Sequence, residues 1–250
     1  MTWAQPKRIR ARIQTAIEVV YPPRCLGCGA MVESDFGLCA TCWRDTPFIG
    51  GTVCDSCGTP LPGERDGFRI ECDDCMDRPR PWRNGRSTLL YRDKARELVL
   101  ALKHGDRPEI ARAAGAWMAR AGREILQERM LVAPVPLHWS RLWRRRYNQS
   151  ALLGQSLARA VGLEVCPDLL QRMRRMPMLE GLGAEDRFAL LTQAIRPHPR
   201  RAGRAQGRAV LLVDDVMTSG ATLAACTHAA LDAGAAEVHI LTLARVAKDD

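Results

Sequence analysis

Residues 209–222 read AVLLVDDVMTSGAT. The apolar run Val210–Val213 is the core of a buried strand, and it ends in two acids, Asp214 and Asp215. In open parallel sheets ligands collect at the carboxyl ends of strands. Two adjacent carboxylates there are costly unless something neutralises or hydrogen-bonds them. Behind them Met217, Thr218, Ser219, Gly220, Ala221 and Thr222 turn into a helix. Small residues, hydroxyls and unpaired N–H groups at a helix start form a cradle for phosphate. Acids that accept sugar hydroxyls, directly followed by such a cradle, describe a site for a sugar phosphate. For the acids alone, a strand end with an Asp turn and an N-capping Thr or Ser is the better reading. The whole string outweighs it.

Outward from this string the chain alternates strands and helices. Strands are expected at Ser87–Tyr91, 130–135, 209–216 and 237–246, with a strand or hairpin in 163–174. Helices are expected at 93–103, 107–127, 148–161 and about 221–233, the last ended by Gly234. Residues 176–208 read as irregular, with 196–208 a flexible basic loop of five arginines and no acid. The alternation implies an α/β domain over 85–250, a mostly parallel sheet flanked by helices. Ahead of it, Ile9, Ile13 and Ile17 mark an amphipathic helix in 1–22, stopped by Pro22-Pro23 and expected to pack on its own protein, with a membrane-surface or targeting helix as the alternative. Arg78-Pro79-Arg80-Pro81 reads as a linker.

Residues 23–80 differ in character. Cys25/Cys28, Cys39/Cys42, Cys54/Cys57 and Cys72/Cys75 form four C-x-x-C pairs. Two intervening residues let both sulfurs reach one tetrahedral ion. A redox C-x-x-C comes singly, so four pairs at this spacing point to a double zinc ribbon with two structural Zn²⁺ sites. Sequential ligation (Cys25, Cys28, Cys39, Cys42, then Cys54, Cys57, Cys72, Cys75) is the expectation over an interleaved arrangement. Four thiolates leave no open coordination position, so the ions would hold the fold together and do no catalysis. Cys166 and Cys226 stand apart, as small buried hydrophobes.

The chain has 250 residues, 46% hydrophobic, which suits a packed core and argues against global disorder. No apolar run approaches the ~18 residues of a membrane span. The first 25 residues lack a continuous apolar stretch, so a cytoplasmic protein is expected. The net charge of +9 suits anionic partners or simple solubility, and would fall to about +5 with two tetrathiolate zinc sites. Four arginines, Arg141 and Arg144–Arg146, crowd beside Trp139, Trp143 and Tyr147. Arginine forks suit phosphate oxygens, and the aromatics suit stacked bases of single-stranded DNA. A solvated basic turn is the plainer alternative.

The 209–222 string closely resembles the phosphoribosyl pyrophosphate motif of type I phosphoribosyltransferases. Together with the cysteine pairs, PPRCLGCG at 22–29, and Pro134–Leu137 through Arg146-Tyr147-Asn148-Gln149, nearly the whole chain resembles the ComF/ComFC family. That family includes competence-associated and GntX-type proteins. The resemblance implies a type I phosphoribosyltransferase-like fold after an N-terminal zinc-ribbon module. It implies phosphoribosyl pyrophosphate as ligand, with Mg²⁺ bridging, and an association with the DNA-uptake machinery. Asp214 and Asp215, the catalytic pair, would contact the ribose hydroxyls, and Met217–Thr222 the 5′-phosphate. Leu137, Arg141 and Arg146 would face pyrophosphate. One stretch departs from the family pattern. Met176-Pro177-Met178-Leu179, Glu185-Asp186-Arg187 and Leu190 stand where members carry a Thr-Pro-Ser-Gln-like stretch, then Glu-Arg and Asn. Such a loop ordinarily covers the reacting centre. The resemblance therefore implies binding without implying turnover, and a non-catalytic DNA-binding accessory role is the alternative.

Overall fold

The computed structural model describes residues 22–33, 37–65, 67–104, 106–173 and 194–247. The helix expected at 7–20 and the departures at Met176–Leu190 lie outside these residues. The chain divides into two compact units, Met1–Thr46 and Pro47–Asp250.

In the first unit, Cys25 and Cys28 sit on a knuckle closed by the Gly29 N–H donating to the Cys25 carbonyl at 2.9 Å. Cys39 precedes helix α1 (Ala40–Arg44) and Cys42 lies inside it.

The second unit opens with the other two cysteine pairs and helix α2 (Asp73–Asp77). Strand β1 (Asn84–Leu90), helix α3 (Asp93–His104) and helix α4 (Ile110–Ala121) follow. Then come β2 (Leu131–Pro134), the short α5 (Trp139–Arg145) and α6 (Gln149–Val161). Strands β3 (Glu164–Val165), β4 (Leu170–Arg172) and β5 (Ile195–Pro197) lead to β6 (Ala209–Met217). Helix α7 (Ala221–Asp232) and β7 (Glu237–Arg245) complete it. The sheet is five-stranded and parallel, in the order β1-β7-β6-β2-β3.

Strand alternation sends successive side chains to opposite faces. Leu131, Ala133, Val210, Leu212, Val238 and Ile240 share one buried cluster with Leu223, Ala225 and Ala229 of α7. Across the sheet, Gly154 of α6 lies against Val132, Val213 and Pro134. Cys166 and Cys226 are fully buried, as expected of small hydrophobes.

The outer side of β1 is lined by the segment that carries the second cysteine group. Gly85 donates to the Asp55 carbonyl (2.8 Å), and Leu90 to that of Pro47 (2.9 Å). Ile49 in turn donates to the Thr88 carbonyl at 2.9 Å.

Three expectations need correction. The helix expected over 107–127 spans only Ile110–Ala121, with the Gly122 N–H bonded back to Met118 at its end. The basic stretch 196–208 is ordered. Strand β5 pairs antiparallel with β4, and Ala202–Ala205 form a 3₁₀ turn. Three of its five arginines pair with acids of the preceding segment: Arg201 with Asp168 at 3.2 Å, while Arg208, at 2.7 Å, and Arg204 share Glu164. The supposed linker at 78–81 is docked, with the Arg80 side chain only 9% exposed and Trp82 next to it buried.

Candidate functional site

Strand β6 delivers Asp214 and Asp215 to the carboxyl end of the sheet, beside the end of β2, where Pro134 pairs with Val213. Asp214 accepts a hydrogen bond from the Ser150 hydroxyl at 2.8 Å and from the Asp215 N–H at 2.9 Å. Asp215 forms an ion pair with Lys103 at 3.2 Å, with both side chains largely buried. Burial and the adjacent Asp215 carboxylate raise Asp214 to about 7, outweighing Ser150 and Lys103, which pull the other way. One of the two carboxyls is thus poised to change charge near neutrality.

The chain then turns through Thr218 and Ser219 into α7, with Gly220 at φ +81°. That left-handed conformation favours glycine. A Cβ there would also lie 2.8 Å from the Met217 methyl and 3.1 Å from Trp82. Among the described residues the N–H groups of Thr218, Ser219, Gly220 and Thr222 have no acceptor, and that of Ala221 only grazes the Ser219 hydroxyl at 3.4 Å. These residues and Asp214 line a cavity of about 50 Å³. Unpaired amides at a helix start, around a hollow of that size, fit a phosphate group.

Of the residues expected to face pyrophosphate, Leu137 and Arg146 do not line this cavity. Leu137 is half-buried in the loop after β2. Arg141 belongs to α5, and Arg146 caps that helix in the left-handed conformation, exposed, at φ +66°. The loop leaves the sheet next to Asp214, its exit pinned by Asn148 donating to the Val135 carbonyl at 3.1 Å. The basic stretch is a helix, with the His138 side chain accepting from the Ser140 N–H.

Sequence reasoning missed Lys103 and Ser150. Ser150 directly follows the Asn148-Gln149 pair, which was a usable signal; Lys103 closes an ordinary amphipathic helix and carried none.

A larger cavity, about 320 Å³, opens at the amino end of β1, between Asp55, Arg65, Arg69, Arg86 and Glu124. Its charges satisfy one another: Arg86 pairs with Asp55 at 2.8 Å and Glu124 at 3.1 Å. It lies at the wrong end of a parallel sheet for a ligand site of this class.

The cysteines form two sequential groups, Cys25/Cys28/Cys39/Cys42 and Cys54/Cys57/Cys72/Cys75, with all sulfurs of a group within 4.8 Å of one another. A tetrahedral Zn²⁺ with bonds of ~2.3 Å sets its sulfurs about 3.8 Å apart. Cys28–Cys39 at 3.7 Å and Cys57–Cys72 at 3.6 Å meet that requirement. Burial opposes ionisation of Cys25, but N–H groups of Cys39, Cys28 and Gly27 outweigh it and bring the thiol down to about 6. Side-chain bonds from Cys57 and Cys75 lower Cys54.

A double zinc ribbon domain matches residues 16–76, and a phosphoribosyl transferase domain matches residues 155–250. DNA utilization protein YhgH of Escherichia coli (strain K12) is 31% identical over 218 residues, covering 84% of this chain and 91% of that one. Competence protein F of Haemophilus influenzae is 28% identical over 228 residues, covering 89% and 96%. This chain belongs to the ComF family. It thus joins a double zinc ribbon to a phosphoribosyltransferase-type domain, as the cysteine pairs and the 209–222 string led one to expect. Competence protein ComFC of Bacillus subtilis is 26% identical, covering 86% and 87%. Among solved structures, glutamine phosphoribosylpyrophosphate amidotransferase from B. subtilis is similar with a TM-score of 0.39 and 20% identity, over 57% of this chain and 30% of that one. Among the described residues of this ComF-family chain, no helix is long and apolar enough to cross a membrane.

Proposed function

We propose that the carboxyl end of β6 binds phosphoribosyl pyrophosphate. The observation that carries the reading is the set of unpaired amides of Thr218, Ser219, Gly220 and Thr222 around a phosphate-sized cavity that Asp214 also lines. In this reading Met217–Thr222 hold the 5′-phosphate, and Asp214 and Asp215 accept the ribose hydroxyls. Arg141 and Arg146, on the loop and helix leaving β2 beside Asp214, attract the pyrophosphate, with Leu137 at the loop's base. The carboxylates are hard oxygen donors of the kind Mg²⁺ takes, and the ion would arrive with the diphosphate and neutralise its charge. Ser150 and Lys103 fix the acids so that the ribose meets a preformed pair. The chemistry such a site supports is displacement at the anomeric carbon with pyrophosphate as leaving group.

Calorimetric titration of the zinc-loaded chain with phosphoribosyl pyrophosphate and Mg²⁺ tests this. Binding is expected in the micromolar range, weakened at least about 30-fold in Asp214→Asn/Asp215→Asn and about 3- to 10-fold in Ser150→Ala, since a typical intramolecular hydrogen bond contributes roughly 0.5–1.5 kcal/mol net. An affinity unchanged in the double variant overturns the reading.

A second reading is favoured by one separate observation. Trp139 and Trp143, one turn apart on α5, are 65% and 82% exposed among arginines. Such a face suits stacking of single-stranded DNA, and relatives bear DNA utilization and competence names. Association with DNA-uptake machinery belongs to this reading, in which the sugar-phosphate site acts as a binding module. Trp143→Ala should cost about 1–3 kcal/mol of oligonucleotide affinity. An unchanged oligonucleotide affinity with a flat salt dependence defeats it.

A further inference from the structure

Arg80 leaves the second cysteine group and ends at the phosphate turn. Its Nε donates to the Cys75 sulfur at 3.3 Å and its Nη1 to the Ser219 carbonyl at 2.9 Å, while Nη2 pairs with Asp74. The guanidinium lies 5.8 Å from the centre of the Trp82 ring, and that ring in turn abuts Gly220. Three nitrogens of one planar fork therefore engage three acceptors: a metal-site sulfur, a carboxylate and the turn that opens α7. A guanidinium is suited to this because it stays charged and its donors are fixed in one plane.

We infer that Arg80 is a positioning residue that anchors the phosphate turn to the second metal site, making that ribbon a working part of the ligand site. The Ser219 carbonyl, held from below by Arg80, orients the peptide that presents the Gly220 N–H to the cavity. The tetrathiolate site keeps a net charge of about −2 with its ion in place, which holds the guanidinium where it is. Lysine would keep the charge but offers a single nitrogen, which cannot span the sulfur, the carboxylate and the carbonyl together.

The name "phosphate turn" rests on the proposed function; the anchoring does not, and the two are separable. The test uses the full-length, zinc-loaded chain without ligand and compares it with Arg80→Lys. Zinc content should stay at two per chain, matching the two cysteine groups. Backbone order parameters of Ser219 and Gly220 should fall from about 0.85 towards about 0.6. The Ala224 amide, bonded to the Gly220 carbonyl at 2.8 Å, should exchange about tenfold faster, while β7 amides are unchanged. Affinity for ribose 5-phosphate should drop in parallel. Order parameters and exchange equal to wild type overturn the inference. So does loss of zinc from the second group in Arg80→Lys, which would make the arginine a prop of the metal site and no link. If the turn loosens yet neither protein binds phosphoribosyl pyrophosphate, the anchoring stands and the proposed function fails.

Discussion

Cys57→Ser unfolds the unit that begins at Pro47, while Cys28→Ser leaves it folded. The two cysteine groups have equal chemistry and unequal surroundings. Cys54 and Cys57 are fully buried and share a core cluster with Val210, Leu212, Met217 and Ile240 of the sheet. The Cys57 carbonyl accepts from the Ser87 hydroxyl at 3.2 Å and from the buried Arg245 guanidinium at 3.4 Å. Gly58 behind it sits so close to β1 that a Cβ would lie 2.4 Å from the Ser87 nitrogen. Cys28, by contrast, is exposed. A structural zinc contributes about 10–16 kcal/mol to small domains, against a total stability of about 5–15 kcal/mol for an ordinary one. Losing the second ion therefore removes an amount comparable to the whole margin. Circular dichroism melts of the two variants check this, with metal analysis alongside. A Cys57→Ser protein melting within a few degrees of wild type refutes it.

Lys103→Met should also be strongly destabilising, and most of all above neutral pH. Lys103 is the one cation paired with the acids among the described residues, and removing a partner from a buried pair typically costs about 3–5 kcal/mol. The pH dependence follows from Asp214, whose carboxyl is raised from 3.8 to about 7, chiefly by burial and then by Asp215. An acid raised in the folded state contributes stability that is fully present below its unfolded value and is lost as pH rises through its folded value. Wild-type stability should thus decline between about pH 4 and 7, and the Lys103→Met decline should extend to higher pH. Asp214→Asn should flatten the wild-type profile. Urea melts of the three proteins from pH 5 to 8.5 read this directly, and a Lys103→Met deficit independent of pH would show that the lysine acts through packing alone.

The alternation of strands and helices was legible because apolar runs such as Val210–Val213 and the stop at Gly234 report local physics. The cysteine pairs were legible for the same reason: a ligand spacing of two is a local constraint. What the sequence could not yield were partnerships across the fold. Lys103 and Asp215 lie 112 positions apart, and Arg80 meets Ser219 across 139. The basic stretch 196–208 was misread because its counter-charges, Glu164 and Asp168, sit in another segment. Charge excess along the chain does not show where that charge is spent. Arg80 was lost inside an apparent linker, since the prolines on either side of it mimic an exposed connector.

The backbone bonds that Pro47, Ile49 and Asp55 make along the flank of β1 have a practical corollary. A truncated protein starting near residue 82, drawn to isolate the transferase-type half, would bare a row of open amides and carbonyls on a strand that is buried in the intact chain. Such a surface recruits strands from neighbouring molecules and seeds aggregates. Any soluble minimal fragment must therefore begin no later than Pro47.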